Sequence, residues 1–79
     1  MKQYTKEWAK EYLREHPDVY GIAQDMNGLV CEFYGDFKVH DRLSSDWFPI
    51  NEKDDWFMVD DMLEHPKGWR NSKVTRDMI

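Results

Sequence analysis

The spacing of apolar residues changes along the chain, and each change predicts an element. Over Lys6–Glu15, Trp8 is followed by Tyr12 and Ala9 by Leu13 at four-residue spacing, which puts one apolar stripe on a helix. Thr5 supplies an N-cap hydroxyl, Glu7 a negative charge in the first turn and Arg14 a positive charge in the last. Pro17 stops the helix and pushes His16 out of helical backbone. From there the period shortens to two. Asp18–Gln24 and Leu29–Tyr34 predict a β-hairpin, joined by Asp25, Met26, Asn27 and Gly28, a turn chemistry that accepts positive φ. Leu29, Cys31 and Phe33 share one face of the second strand; Val30, Glu32 and Tyr34 share the other. Gly21 is expected to leave room for a bulky neighbour such as Trp8.

Beyond the hairpin the elements shorten. Gly35-Asp36 reads as a turn, Phe37–His40 as a third strand, and Asp41–Asp46 as a loop. Pro49 limits Trp47–Ile50 to an edge strand or an extended segment. Asn51–Asp55 is a polar turn, Trp56–Val59 the last strand, and Asp60–Glu64 a helical turn ended by Pro66–Gly68. The tail from Trp69 to Ile79 reads equally as a short strand, a docked coil or a frayed helix. The resulting fold class is α+β over residues 1–79: one N-terminal helix on a small antiparallel sheet of three or four strands. Matched periodicity puts Trp8, Leu13, Ile22, Phe33 and Val39 among the most buried residues, with the helix stripe on one sheet face.

At 79 residues the chain is one small domain. Its formal net charge of −5 opposes direct binding to nucleic acid and to anionic membrane surfaces, and permits a basic protein partner. Cys31 is the only cysteine, which fits a reducing cytoplasm. The start MKQYTKEWAKEYL has no apolar run resembling a leader, and no stretch reaches membrane-spanning length.

Candidate chemistry is thin. His16, His40 and His65 lie far apart without HxxxH or CxxC spacing, so no metal or other cofactor is expected. Cys31 is expected to pack as an inert strand thiol, and Ser44, Ser45 and Ser72 have no nucleophile elbow around them. No enzymatic activity is therefore expected.

The informative feature is acidic and aromatic. Asp46, Glu52, Asp54, Asp55, Asp60, Asp61 and Glu64 surround the pairs Trp47-Phe48 and Trp56-Phe57. Adjacent strand residues face opposite sides, so one aromatic of each pair is left for the second sheet face, the tail or a partner. The alternative is that the tail folds back through Trp69, Val74 and Met78 to cover that face, leaving the acids as a solvated surface. The binding reading names Trp47, Phe48, Glu52, Asp54, Asp55, Trp56, Phe57, Asp60, Asp61 and Tyr34 as partner-contacting residues. Two further readings stay open. In one, the acids imitate duplex charge in the groove of a nucleic-acid-binding protein. In the other, oligomers stack a nucleotide between aromatic rings, with only Arg70, Lys73 and Arg76 available for its phosphate.

The stretches VYGIAQDMNGLVCEFYGDF, DDWFMVDD and GWRNSKVTRDMI carry a resemblance. The chain resembles small proteins encoded by tailed bacteriophages, which run as a short helix, a VAxDxxGxVYxYExxP hairpin, a Trp-containing middle and a closing WxxSxxxR segment. Trp69, Ser72 and Arg76 match the closing pattern; Gly35 and Asp36 stand where Lys-Pro usually follows the second strand. The resemblance implies a viral protein acting in bacterial cytoplasm. It would bind and inhibit or modulate a host protein, such as a defence factor, and homo-oligomers are permitted.

Overall fold

The computed structural model describes residues 3–40, 42, 45–62 and 68–79. Helix α1 spans Lys6–Glu15, and the Thr5 hydroxyl accepts the Trp8 N–H at 3.0 Å, as the capping pattern predicts. Among the described residues six strands follow: β1 (Gly21–Gln24), β2 (Leu29–Phe33), β3 (Phe37–Val39), β4 (Trp47–Pro49), β5 (Trp56–Asp61) and β6 (Val74–Thr75). They form a four-stranded antiparallel sheet in the order β5-β2-β1-β6 and a separate β3-β4 pair. With the helix packed on the larger sheet, the architecture is α+β.

Several boundaries differ from the sequence expectation. The first strand starts at Gly21 rather than Asp18, because Val19 donates its N–H to His16 O at 3.1 Å in the turn that follows the helix. At the hairpin turn Gly28 has φ 97°, the left-handed conformation that the Asn-Gly pair anticipates. Asp60 and Asp61 do not start a helical turn. They continue β5, opposite Val30 and Leu29, after a bulge that leaves Val59 as the extra residue. Met62 follows the strand as a buried core residue. Leu63 and Glu64 of that expected turn, the Pro66-Lys67 stop, and Asp41, Leu43 and Ser44 of the loop expected over Asp41–Asp46 lie outside the described residues.

The sheet buries both faces. On one face Ala9 and Leu13 of the helix pack with Val19, Ile22, Val30, Met62 and Val74. On the other, Ala23, Cys31 and Phe33 pack with Phe37, Trp47 and Trp69. Leu13, Ile22 and Phe33 are fully buried, as expected. Phe33, however, lies on the face away from the helix, because Ile22 is opposite Glu32 and Gly21 is opposite Phe33. Trp8 and Val39 are only half-buried, which corrects their placement in the core. Trp8 sits instead in a row of rings along the helix, 5.9 Å from Tyr4 and 5.5 Å from Tyr12, and Tyr12 stacks on His16 at 3.9 Å.

The second face is covered mainly by the β3-β4 pair, an arrangement the sequence reading did not anticipate. Phe37 stacks on Phe33 with centroids 4.2 Å apart and planes 7° from parallel. Trp47 meets Phe37 edge-on at 5.6 Å. Gly21 makes room for Phe37, not Trp8: a Cβ there would lie 2.5 Å from the Phe37 ring. Of the three tail residues proposed as a cover, only Trp69 joins this cluster; Val74 faces the helix core and Met78 is exposed.

The tail is docked by the residues of its WxxSxxxR pattern. Trp69 is buried at the start of a 3-10 turn, Trp69–Asn71. The Ser72 hydroxyl accepts the Gln24 N–H at 2.8 Å and donates to Trp69 O at 2.6 Å. Tyr4 holds Ser72 O through a 2.5 Å hydrogen bond. Arg76 reaches back to the end of the helix, donating to Val19 O, Leu13 O and His16 O. These three positions therefore close the fold.

Candidate functional site

The two aromatic pairs have different fates. Trp47 is 7% exposed, and its indole N–H is shared between Gln24 O at 3.1 Å and Trp69 O at 3.3 Å. Its backbone N–H donates to the buried carboxylate of Asp25 at 2.8 Å. Trp47 is thus a core residue, which removes it from the set of accessible partner contacts. Phe48, pointing the other way from β4, is half-buried between His40 (5.1 Å) and Trp56 (5.6 Å).

The second pair lies on the edge strand of the larger sheet. Trp56, Phe57 and Met58 are 41%, 55% and 62% exposed. Trp56 opposes Phe33 and Met58 opposes Cys31, so both side chains fall on the β3-β4 side; Phe57 opposes Glu32 on the helix side. Trp56 stacks on Phe33 at 6.4 Å and so continues the second core out to solvent. Phe57 meets Tyr34 edge-on at 5.9 Å. Tyr34 is itself exposed, with its hydroxyl donating to Glu32 Oε2 at 2.6 Å. That hydrogen bond, ahead of desolvation and nearby negative charge, raises the Tyr34 pKa. Tyr12 donates to the other Glu32 oxygen, so two phenols anchor one carboxylate beside Phe57.

The acids do not form a single cluster. Asp54 is half-buried over Gly35, where a Cβ would collide with its carboxylate. This explains why a glycine follows Tyr34. Asp55 is exposed at the start of β5 and accepts the Tyr34 N–H at 3.1 Å through its carbonyl. At the far end Asp60 faces the helix side opposite Val30, and Asp61 the other side opposite Leu29. Asp60 Oδ1 accepts the Asp61 N–H at 2.8 Å. Glu52 lies apart, at a cleft of about 430 Å³ that Lys38, His40, Arg42 and Phe48 also line. Of the ten predicted contacts, then, Trp56, Phe57, Tyr34, Asp55, Asp60 and Asp61 gather around β5, Phe48 adjoins them through Trp56, and Trp47 is buried.

Met58 is the exposed residue the sequence reading missed. Its signal was its place in the WFMV run, but only the strand order shows that this run lies at an edge. The Cys31 thiol is 3% exposed, and burial, then the nearby Asp25 and Asp46 charges, push its pKa up to about 12. A thiol so held stays protonated and is a poor nucleophile. Among the described residues no group of three or more His, Cys, Asp or Glu is placed to hold a metal ion, and no helix is long and apolar enough to cross a membrane. No family model, curated protein or solved structure matches the chain.

Proposed function

We propose that this protein is a small non-enzymatic binding module that occludes a partner protein with the surface of β5. The observation that carries this reading is the exposure of three consecutive large apolar residues, Trp56, Phe57 and Met58, on an edge strand. Each forgoes about 25 cal/mol per Å2 of apolar area left in water, a cost that a partner's surface removes. Tyr34 and Phe48 extend the surface to either side of the strand, and Asp55 and Asp61 rim it. Aromatic anchors supply the affinity, while exposed acids steer a basic partner and set its orientation. The phage resemblance makes that partner a host bacterial protein, inhibited or modulated by steric cover.

The test is parallel capture from bacterial lysate by the wild-type chain, by Phe57→Lys and by Lys6→Glu, which lies on the exposed side of the helix. A discrete protein retained by wild type and Lys6→Glu but lost by Phe57→Lys supports the reading. Equal capture by all three contradicts it.

A further inference from the structure

The backbone of β5 is directional as well as exposed. Asp25 N–H donates to Leu29 O at 2.8 Å, so the odd-numbered residues of β2 turn their backbone groups toward β1. Tyr34 N–H donates to Asp55 O at 3.1 Å, so the even-numbered residues turn toward β5. In an antiparallel ladder the N–H and C=O of one residue point the same way. Glu32 is opposite Phe57, whose groups therefore face β2. Phe33 and Cys31 are opposite Trp56 and Met58, whose N–H and C=O groups therefore point out of the sheet. Among the described residues no strand pairs with that outer side.

The opening is short and bounded. Beyond Met58 the bulge at Val59 breaks the ladder, and the Asp61 N–H is taken by the Asp60 carboxylate. Bulges and inserted charge are the usual ways to close a sheet edge. Here they close one end and leave Trp56 and Met58 open, beside Phe57, which with Met58 is the most exposed of the large apolar side chains among the described residues.

We propose that β5 accepts an extended segment of its partner as an added antiparallel strand, paired with the backbone of Trp56 and Met58. The segment is apolar at its centre and carries Lys or Arg on its flanks. This rests on the reading of β5 as the binding surface, and adds the mode and the chemistry of the partner. Strand addition takes affinity from main-chain hydrogen bonds and selectivity from alternate side chains. The flanks follow from charge: Asp55 and Asp61, both exposed, bracket the open positions. Charge also decides against a second copy of this chain. Antiparallel pairing of two copies about Phe57 joins Trp56 to Met58 correctly, but brings the Asp55 end of each strand against the Asp61 end of the other, in a chain of net charge −5. Like charges placed opposite are unfavourable.

The probe is the capped peptide acetyl-Lys-Lys-Ile-Thr-Val-Lys-Lys-amide, labelled and titrated with the full chain, beside the same peptide with Glu for every Lys. Met58→Pro removes an outward N–H that no described strand uses, a substitution an edge strand tolerates; a thermal melt checks its fold. The expected result is saturable binding of the basic peptide. It should be at least tenfold weaker for Met58→Pro, less weakened for Met58→Ala, and at least tenfold weaker for the acidic peptide. The double reversal Asp55→Lys with Asp61→Lys, which leaves the backbone edge intact, should instead prefer the acidic peptide. Absence of saturable binding at millimolar concentration, or unchanged affinity in Met58→Pro, overturns the proposal. Self-association of the chain that Met58→Pro abolishes also overturns it, by making the second copy the occupant. If Phe57→Lys loses the captured partner while Met58→Pro keeps it, strand addition fails and the β5 surface stands. If neither variant matters, both fail.

Discussion

Arg76 Nη2 donates to the carbonyl of Leu13 at 2.9 Å, joining the end of the chain to the last turn of the helix. The same nitrogen reaches His16 O at 2.7 Å, and Nε reaches Val19 O at 2.8 Å. A guanidinium is suited to this place, since helix C-termini leave carbonyls without partners and attract positive charge. Arg76→Ala should lower stability by about 2 kcal/mol or more, because it strips charged hydrogen bonds from partly buried carbonyls. Arg76→Lys should recover only part of this, lacking the planar fork. Chemical denaturation of the three proteins checks the order.

Asp25 makes stability depend on pH. Burial, opposed by the Trp47 N–H and reinforced by the Asp46 charge, pushes its carboxyl from 3.8 up to about 6. The folded state therefore holds this proton more tightly than the unfolded chain does. The stabilising contribution is complete below about pH 4 and is lost as pH rises through about 6. Asp25→Asn keeps an acceptor for the Trp47 N–H without the charge. It should be more stable than wild type at neutral pH by on the order of 1–3 kcal/mol, with the difference vanishing near pH 4. Melting temperatures measured across that interval test both the sign and the window.

Gly21 is needed for contact rather than for backbone conformation. A Cβ there meets Phe37 Cε1 at 2.5 Å and Val74 O at 2.9 Å. Gly21→Ala should cost about 1–3 kcal/mol through overpacking. Combining it with Phe37→Leu should cost less than the two single changes added together, because the smaller side chain vacates the clash. A double-mutant cycle by thermal melt measures the coupling.

Phe33 and Phe57 separate core from surface. Phe33→Ala empties a fully buried ring site stacked on Phe37 and should cost about 3–5 kcal/mol. Phe57, 55% exposed, should lose well under about 1 kcal/mol on truncation. Comparable losses in the two variants would place Phe57 in the core.

Much of the fold was legible because local signals agreed. Thr5, the Trp8-Tyr12 and Ala9-Leu13 spacings and Pro17 delimit the helix, and Asn27-Gly28 marks the hairpin turn. The two-sided burial of the sheet was not legible. Alternation tells that Ile22 and Phe33 each face inward on some side, but not which side the helix takes; that follows from the Ile22–Glu32 register across the hairpin together with the docking of the helix on Ile22, a tertiary contact. The β3-β4 cover depends on Phe37 finding the space above Gly21, a tertiary contact without a local signature. In the sequence Trp47 reads as an anchor because it is large and adjacent to Phe48. Its indole N–H instead finds two carbonyls inside the molecule, which makes a buried Trp tolerable. Alternation does tell that Trp56 and Phe57 cannot share one core, and they face opposite sides of the sheet. Their exposure follows from the strand order, which places their strand at the edge of the sheet.

Amide hydrogen exchange across β5, in the free chain and in complex with the partner captured in a Phe57-dependent manner, tests the central claim most directly. The outward N–H groups of Trp56 and Met58 should exchange fast in the free chain and be protected on binding, while the exposed face of α1 is unchanged. Protection confined to α1 or the tail, with Trp56 and Met58 exchanging as in the free chain, would contradict the assignment of β5 as the binding surface.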